Sequence, residues 1–91
     1  MKQIDVSSVE KAMEIIGNKC ALPIMACFII GPKRFSELQK QCLVCPRTLS
    51  ARLDELSENG LVSKNNAGEY IVTNKGQKLS PIIEQISAWQ A

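Results

Sequence analysis

The stretch Cys45–Gly60, CPRTLSARLDELSENG, decides how the rest of the chain is read. Pro46 suits a first helical position, where its fixed φ is already helical and its missing N–H is not needed. Leu49, Leu53 and Leu56 recur at i, i+4 and i+7, so one stripe is apolar and must face a core. Arg47, Ser50, Ala51 and Asp54 fall on the other side. Gly60 stands where a left-handed residue closes a helix, and Leu61 can fold back on the last turn as its hydrophobic partner. The spacing predicts a helix over about 46–59, anchored by leucines and slim, polar and partly basic near its N-terminus. A helix that enters a DNA major groove needs those properties.

The totals bound the possibilities. Ninety-one residues fit one domain, 1–91, with a single small core, and dimerisation is a common way for such a core to gain burial. Apolar residues make up 45% and charged residues 22%, the balance of a folded chain and not of a disordered one. No apolar segment follows Lys2 as in a signal peptide. The longest mostly apolar run, Cys20–Ile30, is too short to span a bilayer and contains Pro23. The expectation is a cytoplasmic chain without a membrane partner. The formal charge of +2 is unevenly spread: residues 33–52 carry Lys33, Arg34, Lys40, Arg47 and Arg52 against Glu37 alone. A local basic excess is the footprint of a polyanion partner, although a solvated face would carry it equally well.

Working outward, Ser7-Ser8-Val9-Glu10 has the form of a capping box with Ser7 as N-cap. Val9, Ala12, Met13 and Ile16 follow at helical spacing, and Gly17-Asn18 ends that helix. A second helix, apolar nearly all round, is expected from about Lys19 to Ile30 as the buried central element, with Pro23 in its first turn. Gly31-Pro32 stops it, and a short third helix runs from about Phe35 to Gln41 with Phe35 and Leu38 inward. Leu43-Val44-Cys45 then joins it to the 46–59 helix, which makes a helix-turn-helix.

After Gly60, residues 61–64 and 69–72 read as two strands around the turn formers Asn65, Asn66, Ala67 and Gly68. This hairpin is a short wing over about 62–72, with Lys64, Asn65 and Asn66 near its tip. Thr73 starts the last helix, where Leu79, Ile82, Ile83, Ile86 and Trp89 form an apolar stripe that packs on the domain and on a second copy. Pro81 kinks that helix or delays its regular start. The fold class is α+β, mostly α: a winged helix-turn-helix with a short two-stranded wing and a C-terminal dimerisation helix.

With the elements in order, VEKAMEIIGNK, GPKRFSELQK, PRTLSARLDELSENGLV and YIVTNKGQKL resemble the HxlR-type transcriptional regulators, a winged-helix group related to the MarR-like repressors. The resemblance spans roughly residues 7–89. It implies a homodimer joined mainly through the N-terminal and C-terminal helices, with Val9 and Met13 facing the partner from the former. It also implies double-stranded DNA with an inverted-repeat operator as the partner, PRTLSARL in the groove, and GPKRF and the wing on phosphates. The chain departs from the family's pattern in two places. Ser7 stands where many members carry a sensing cysteine, so that redox mechanism is not carried over. Cys20 stands where a Trp is usual, which alters the packing around the first helix. The wing is also shorter than usual.

The residues assign roles within that frame. Arg47, with Ser50 and Thr48, reaches base edges, while Lys33, Arg34, Arg52 and Lys64 neutralise phosphates and Asn65 and Asn66 stand at the wing. An enzyme is the least expected class: the chain has no His, no glycine-rich phosphate loop and no carboxylate pair in a pocket-forming context, and no cofactor is expected. Two Phe, one Tyr and one Trp are too few for a single-strand stacking platform. Two alternatives stand beside DNA binding. One is a winged helix used for protein contact, because the 46–59 helix turns acidic at Asp54, Glu55 and Glu58. The other is a thiol- or metal-responsive regulator using Cys20, Cys27, Cys42 and Cys45. Buried small hydrophobes are the plain account of those cysteines, and no metal ligand is assigned. Cys45, at a helix N-terminus, is the first choice for a reactive thiol.

Overall fold

The computed structural model describes residues 3–18 and 20–91; Lys2 and Lys19, where the second helix was expected to begin, lie outside them. The order is α1 (Val6–Ile16), α2 (Ala21–Cys27), α3 (Phe35–Cys42), α4 (Pro46–Glu58), β1 (Val62–Lys64), β2 (Tyr70–Val72), α5 (Asn74–Gln77) and α6 (Ser80–Gln90). The hydrophobic core is built from Ile24, Met25 and Phe28 around α2, Leu38 of α3, the Leu49–Leu53–Leu56 stripe of α4, and Leu61 and Val62 at the entrance to the wing. All three α4 leucines are essentially inaccessible to solvent.

The end of α4 is a complete Schellman motif. Gly60 is left-handed (φ 74°), its N–H donates to the Ser57 carbonyl at 3.0 Å, and the Leu61 N–H donates to the Leu56 carbonyl at 2.9 Å. Leu61 is therefore the buried end of this cap and not the first residue of a strand. Within the wing, Val62, Ser63 and Lys64 pair antiparallel with Val72, Ile71 and Tyr70. The expected two-stranded hairpin also gains a third partner. The Lys33 N–H donates to the Tyr70 carbonyl at 3.0 Å, and the Tyr70 N–H donates to the Lys33 carbonyl at 2.7 Å.

Other expectations are corrected. The first helix is capped by Asp5 and not Ser7: the Asp5 carboxylate accepts from the Ser7 N–H at 3.1 Å and from the Ser8 hydroxyl at 2.9 Å. A carboxylate that takes two donors outcompetes a single hydroxyl and starts the helix earlier. The second helix stops at Cys27 and not Ile30, because the chain tightens into bonds from Phe28 to Met25, Ile29 to Ala26 and Gly31 to Phe28. Gly31 then adopts φ 151°, ahead of Pro32. Ile29, Ile30 and Pro23 are exposed, so this segment is buried along one side only. The third helix runs to Cys42, one residue beyond Gln41, before the exposed Leu43 turns left-handed (φ 52°).

The last helix is two helices. Thr73 caps α5 alone, its Oγ1 accepting from the Gly76 N–H at 3.1 Å, while Pro81 sits in the first turn of α6. Thr73 also ties α5 to the end of α4, donating its hydroxyl to the Gly60 carbonyl at 2.5 Å and its N–H to the Leu61 carbonyl at 3.0 Å. Gly76 is buried at this junction, and a Cβ there would strike the Leu61 carbonyl and the Val72 side chain. Backbone cannot retreat as a flexible side chain can. Gly76→Ala should therefore lower stability by about 1–3 kcal/mol in urea unfolding; an unchanged midpoint would mean that α5 is not held against the wing.

Candidate nucleic-acid interface

Because the leucine stripe fixes the rotation of α4 about its axis, its opposite side has to face water. Arg47, Ser50, Ala51 and Asp54 are all exposed there, as the periodicity required. The first turn of α4 follows the Leu43–Cys45 turn, with Cys45 in extended backbone geometry (φ −68°, ψ 152°) at the N-cap. The Cys45 side chain makes no capping bond to the helix backbone. Its Sγ lies 3.1 Å from the Thr48 hydroxyl. That contact and the Thr48 N–H lower the Cys45 thiol pKa from its ordinary value.

The other expected contact residues divide into groups. Arg34 is exposed at the start of α3, its N–H donating to Glu37 Oε1 at 2.9 Å. Its guanidinium lies beside the wing, with Nη1 3.6 Å from where a Cβ on Gly68 would stand. Lys64 is exposed on β1 with Nζ 5.3 Å from the centroid of the Tyr70 ring, its cross-strand partner. Lys33 is half-buried, with its backbone committed to Tyr70. The fold thus gathers Lys33, Arg34 and Lys64 around the turn end of the wing, although 31 positions separate Lys33 from Lys64 in sequence. Asn66 is exposed at the turn.

Three residues are placed differently from the expectation of free contact groups. Asn65 is spent on the turn: its Oδ1 accepts from the Ala67 and Glu69 N–H groups at 3.0 and 2.9 Å, and its Nδ2 donates to Glu69 Oε1 at 3.2 Å. Arg52 is ion-paired with Glu55 at 2.6 Å, and Glu55 Oε2 accepts from Asn18 Nδ2 at 3.0 Å. Thr48 is half-buried with its hydroxyl on Cys45. Sequence reading missed Tyr70, which braces both Lys33 and Lys64. The available signal was its position directly opposite Lys64 in the hairpin register.

The dimerisation residues also divide. Leu79 and Ile83 pack against the core, whereas Val9, Met13, Ile82, Ile86 and Trp89 remain exposed, Trp89 at 85%. Neither α1 nor α6 contains a fully buried residue. Among the described residues no group of three or more Cys, Asp or Glu side chains is arranged to hold a metal ion, and no helix is long and apolar enough to cross a membrane. Instead the thiols pair: Cys27 Sγ lies 3.2 Å from Cys42 Sγ.

Comparison with known proteins agrees with this geometry. A family model described as HxlR-like helix-turn-helix matches residues 15–91. The HTH-type transcriptional regulator YvaP of Bacillus subtilis is 34% identical over 87 residues, covering 88% of this chain and 81% of the relative. The crystal structure of quinone-bound YodB from B. subtilis superposes with a TM-score of 0.82 at 28% identity, covering 91% of this chain and 93% of that one. The redox regulator HypR in its reduced form gives 0.82 at 31% identity, covering 90% and 88%.

The thiol environments set an order of reactivity. Burial, the Cys27 contact and the nearby Cys27 and Cys20 sulfurs push the Cys42 thiol up to about 12, whereas Thr48 pulls Cys45 down. The thiolate is the nucleophile, so near neutral pH iodoacetamide should alkylate Cys45 first and Cys42 last, and Thr48→Val should slow the Cys45 reaction. Peptide mass mapping over a time course reads the order; equal rates at Cys42 and Cys45 would contradict these environments.

Proposed function

We propose, from the premise that the chain belongs to the HxlR-like helix-turn-helix family, that this transcriptional regulator acts as a homodimer on an inverted-repeat operator in double-stranded DNA. The observation that carries the reading is the exposed side of α4, where Arg47 and Ser50 stand at the N-terminal end with Ala51 between them and the following turns. A narrow surface of this kind fits a major groove, and an Arg there can bond guanine O6 and N7 together. Arg34, Lys33 and Lys64 at the turn end of the wing supply phosphate contacts beside it, which give affinity without sequence information. Ser50 assists Arg47, and Asn66 reaches the backbone from the turn. Arg52 and Asn65 play supporting parts, the one holding α4 through Glu55 and the other holding the wing turn. The acidic residues Asp54 and Glu58 lie in the later turns, so docking by the N-terminal end keeps them away from phosphates.

Dimerisation is supported by the apolar faces left on the terminal helices. Val9 and Met13 of α1 and Ile82, Ile86 and Trp89 of α6 are all nearly half exposed or more. Pro81, Ile82, Ile86 and Trp89 line one continuous apolar depression along α6. A second copy covering these faces would add the burial that a small core lacks, and two α4 helices related by a twofold axis would read two half-sites. A regulator of this kind works in the cytoplasm and needs no catalytic group.

Selection of bound duplexes from a random pool supplies the operator: a palindromic winner is expected, and no enrichment would favour the protein-contact alternative. On that duplex Arg47→Ala should cost about 1–3 kcal/mol of discrimination against a scrambled sequence, whereas Lys64→Ala should weaken both duplexes alike. Equal loss on both duplexes for Arg47→Ala would reduce it to a phosphate contact.

The oligomer is checked separately by sedimentation. The wild-type chain should be dimeric at micromolar concentration and Ile86→Glu monomeric. Ile86 is the better probe than Ile83, which packs on the core and would confound dissociation with unfolding. A monomeric wild type would remove the dimer.

A further inference from the structure

The two sulfurs that meet between α2 and α3 have no part in the DNA contacts described above. Cys27 is the last residue of α2 and Cys42 the last of α3, and their Sγ atoms are 3.2 Å apart. Both are free thiols and only partly buried. Cys27 Sγ also lies 3.4 Å from the Pro23 carbonyl. That carbonyl can only accept, so Cys27 donates to it and Cys42 donates to the Cys27 sulfur, which aligns the pair along one S–H···S–H···O chain. Cys42 also lines an open depression with Cys20, Pro23, Leu43, Val44, Cys45 and Thr48, so small solutes reach the Cys42 side of the pair from the helix-turn-helix side.

We propose that Cys27 and Cys42 are a modification site for hydroperoxides, which convert the pair to an intramolecular disulfide that pins the end of α2 to the end of α3. A disulfide needs its sulfurs at about 2.0 Å, so closure is a modest side-chain approach from the observed separation. One thiol of the pair loses its proton, and its sulfur attacks a peroxide oxygen. The O–O bond breaks, leaving a sulfenic acid and releasing water or an alcohol. The second thiol gives up its proton and attacks the sulfenic sulfur, the S–O bond breaks, and water leaves. The two thiols lose two electrons and the peroxide gains them. Cys42 is followed directly by the left-handed Leu43 and then by Cys45 at the start of α4, so the link acts on the turn that aims α4. Its effect on DNA rests on the reading given under the proposed function.

The test uses the full chain carrying Cys20→Ser and Cys45→Ser, which leaves only the paired thiols, with the wild type mapped in parallel in case the double variant does not fold. Hydrogen peroxide should remove two hydrogens from the intact monomer and join tryptic peptide 20–33 to 41–47 through Cys27 and Cys42. The link closes a loop of about 15 residues and should raise Tm by about 10 °C until reductant is added. Oxygen addition without linkage, or linkage only between two chains, would overturn the site. A linked monomer with unchanged Tm would overturn the pinning. The linked form should bind the selected duplex about tenfold more weakly, comparable to losing one base contact; equal affinity would overturn the effect on α4. If the reduced protein binds no duplex, the DNA reading fails, while mass and Tm still decide the disulfide.

Discussion

The burial of one leucine stripe is the constraint on which the rest depends. Leu49, Leu53 and Leu56 are pressed against Ile24, Met25 and Phe28 and against Leu38, and this contact sets both the depth and the rotation of α4. Each buried leucine contributes about 1.5–3 kcal/mol, so together they outweigh the missing N-terminal cap at Cys45, which costs about 1 kcal/mol. The helix therefore tolerates a thiol where Ser or Asp would hold it better. Once its rotation is fixed, Arg47 and Ser50 have only solvent, or a partner, to face.

The stop at Gly60 passes this constraint to the wing. A left-handed residue there reverses the chain so that Leu61 and Val62 drop into the same core that holds α4. The wing cannot tilt independently of the helix. Thr73 bonds back to Gly60 and Leu61, and Lys33 bonds to Tyr70, so the hairpin is held at its base and again next to its turn. Cations distant in sequence become neighbours as a consequence. The Lys64–Tyr70 contact, worth about 0.5–1 kcal/mol at an exposed site, orients that cation more than it stabilises the fold.

The two ends of the chain have the opposite character. α1 and α6 bury no residue completely, and they keep Val9, Met13, Ile82, Ile86 and Trp89 in water, while Ile15, Ile16, Leu79 and Ile83 reach the core. A domain of this size has too little interior to cover both faces of its terminal helices. The same smallness brings the ends of α2 and α3 together, so that Cys27 and Cys42 meet at the hinge of the helix-turn-helix.

Much of the fold was legible in the sequence, because its signals are local. Pro46, the leucine spacing and Gly60 define α4 without reference to any other segment, and the turn formers 65–68 define the wing. Local signals misled where two competed, as Asp5 did with Ser7, where a proline had two outcomes, as at Pro81, and where an apolar run outlasted its helix, as at Phe28–Ile30. The sequence by itself therefore determined the identity and order of the elements as far as the wing, and which side of α4 is free. What only the tertiary structure decided are the partners: Lys33 on Tyr70, Asn18 on Glu55 across 37 positions, Arg52 held by that same Glu55, and Cys27 on Cys42. Helical and strand periodicity specify which side of an element is buried. They carry no information about which distant residue will stand opposite, because that is set by how the helices pack around the shared core.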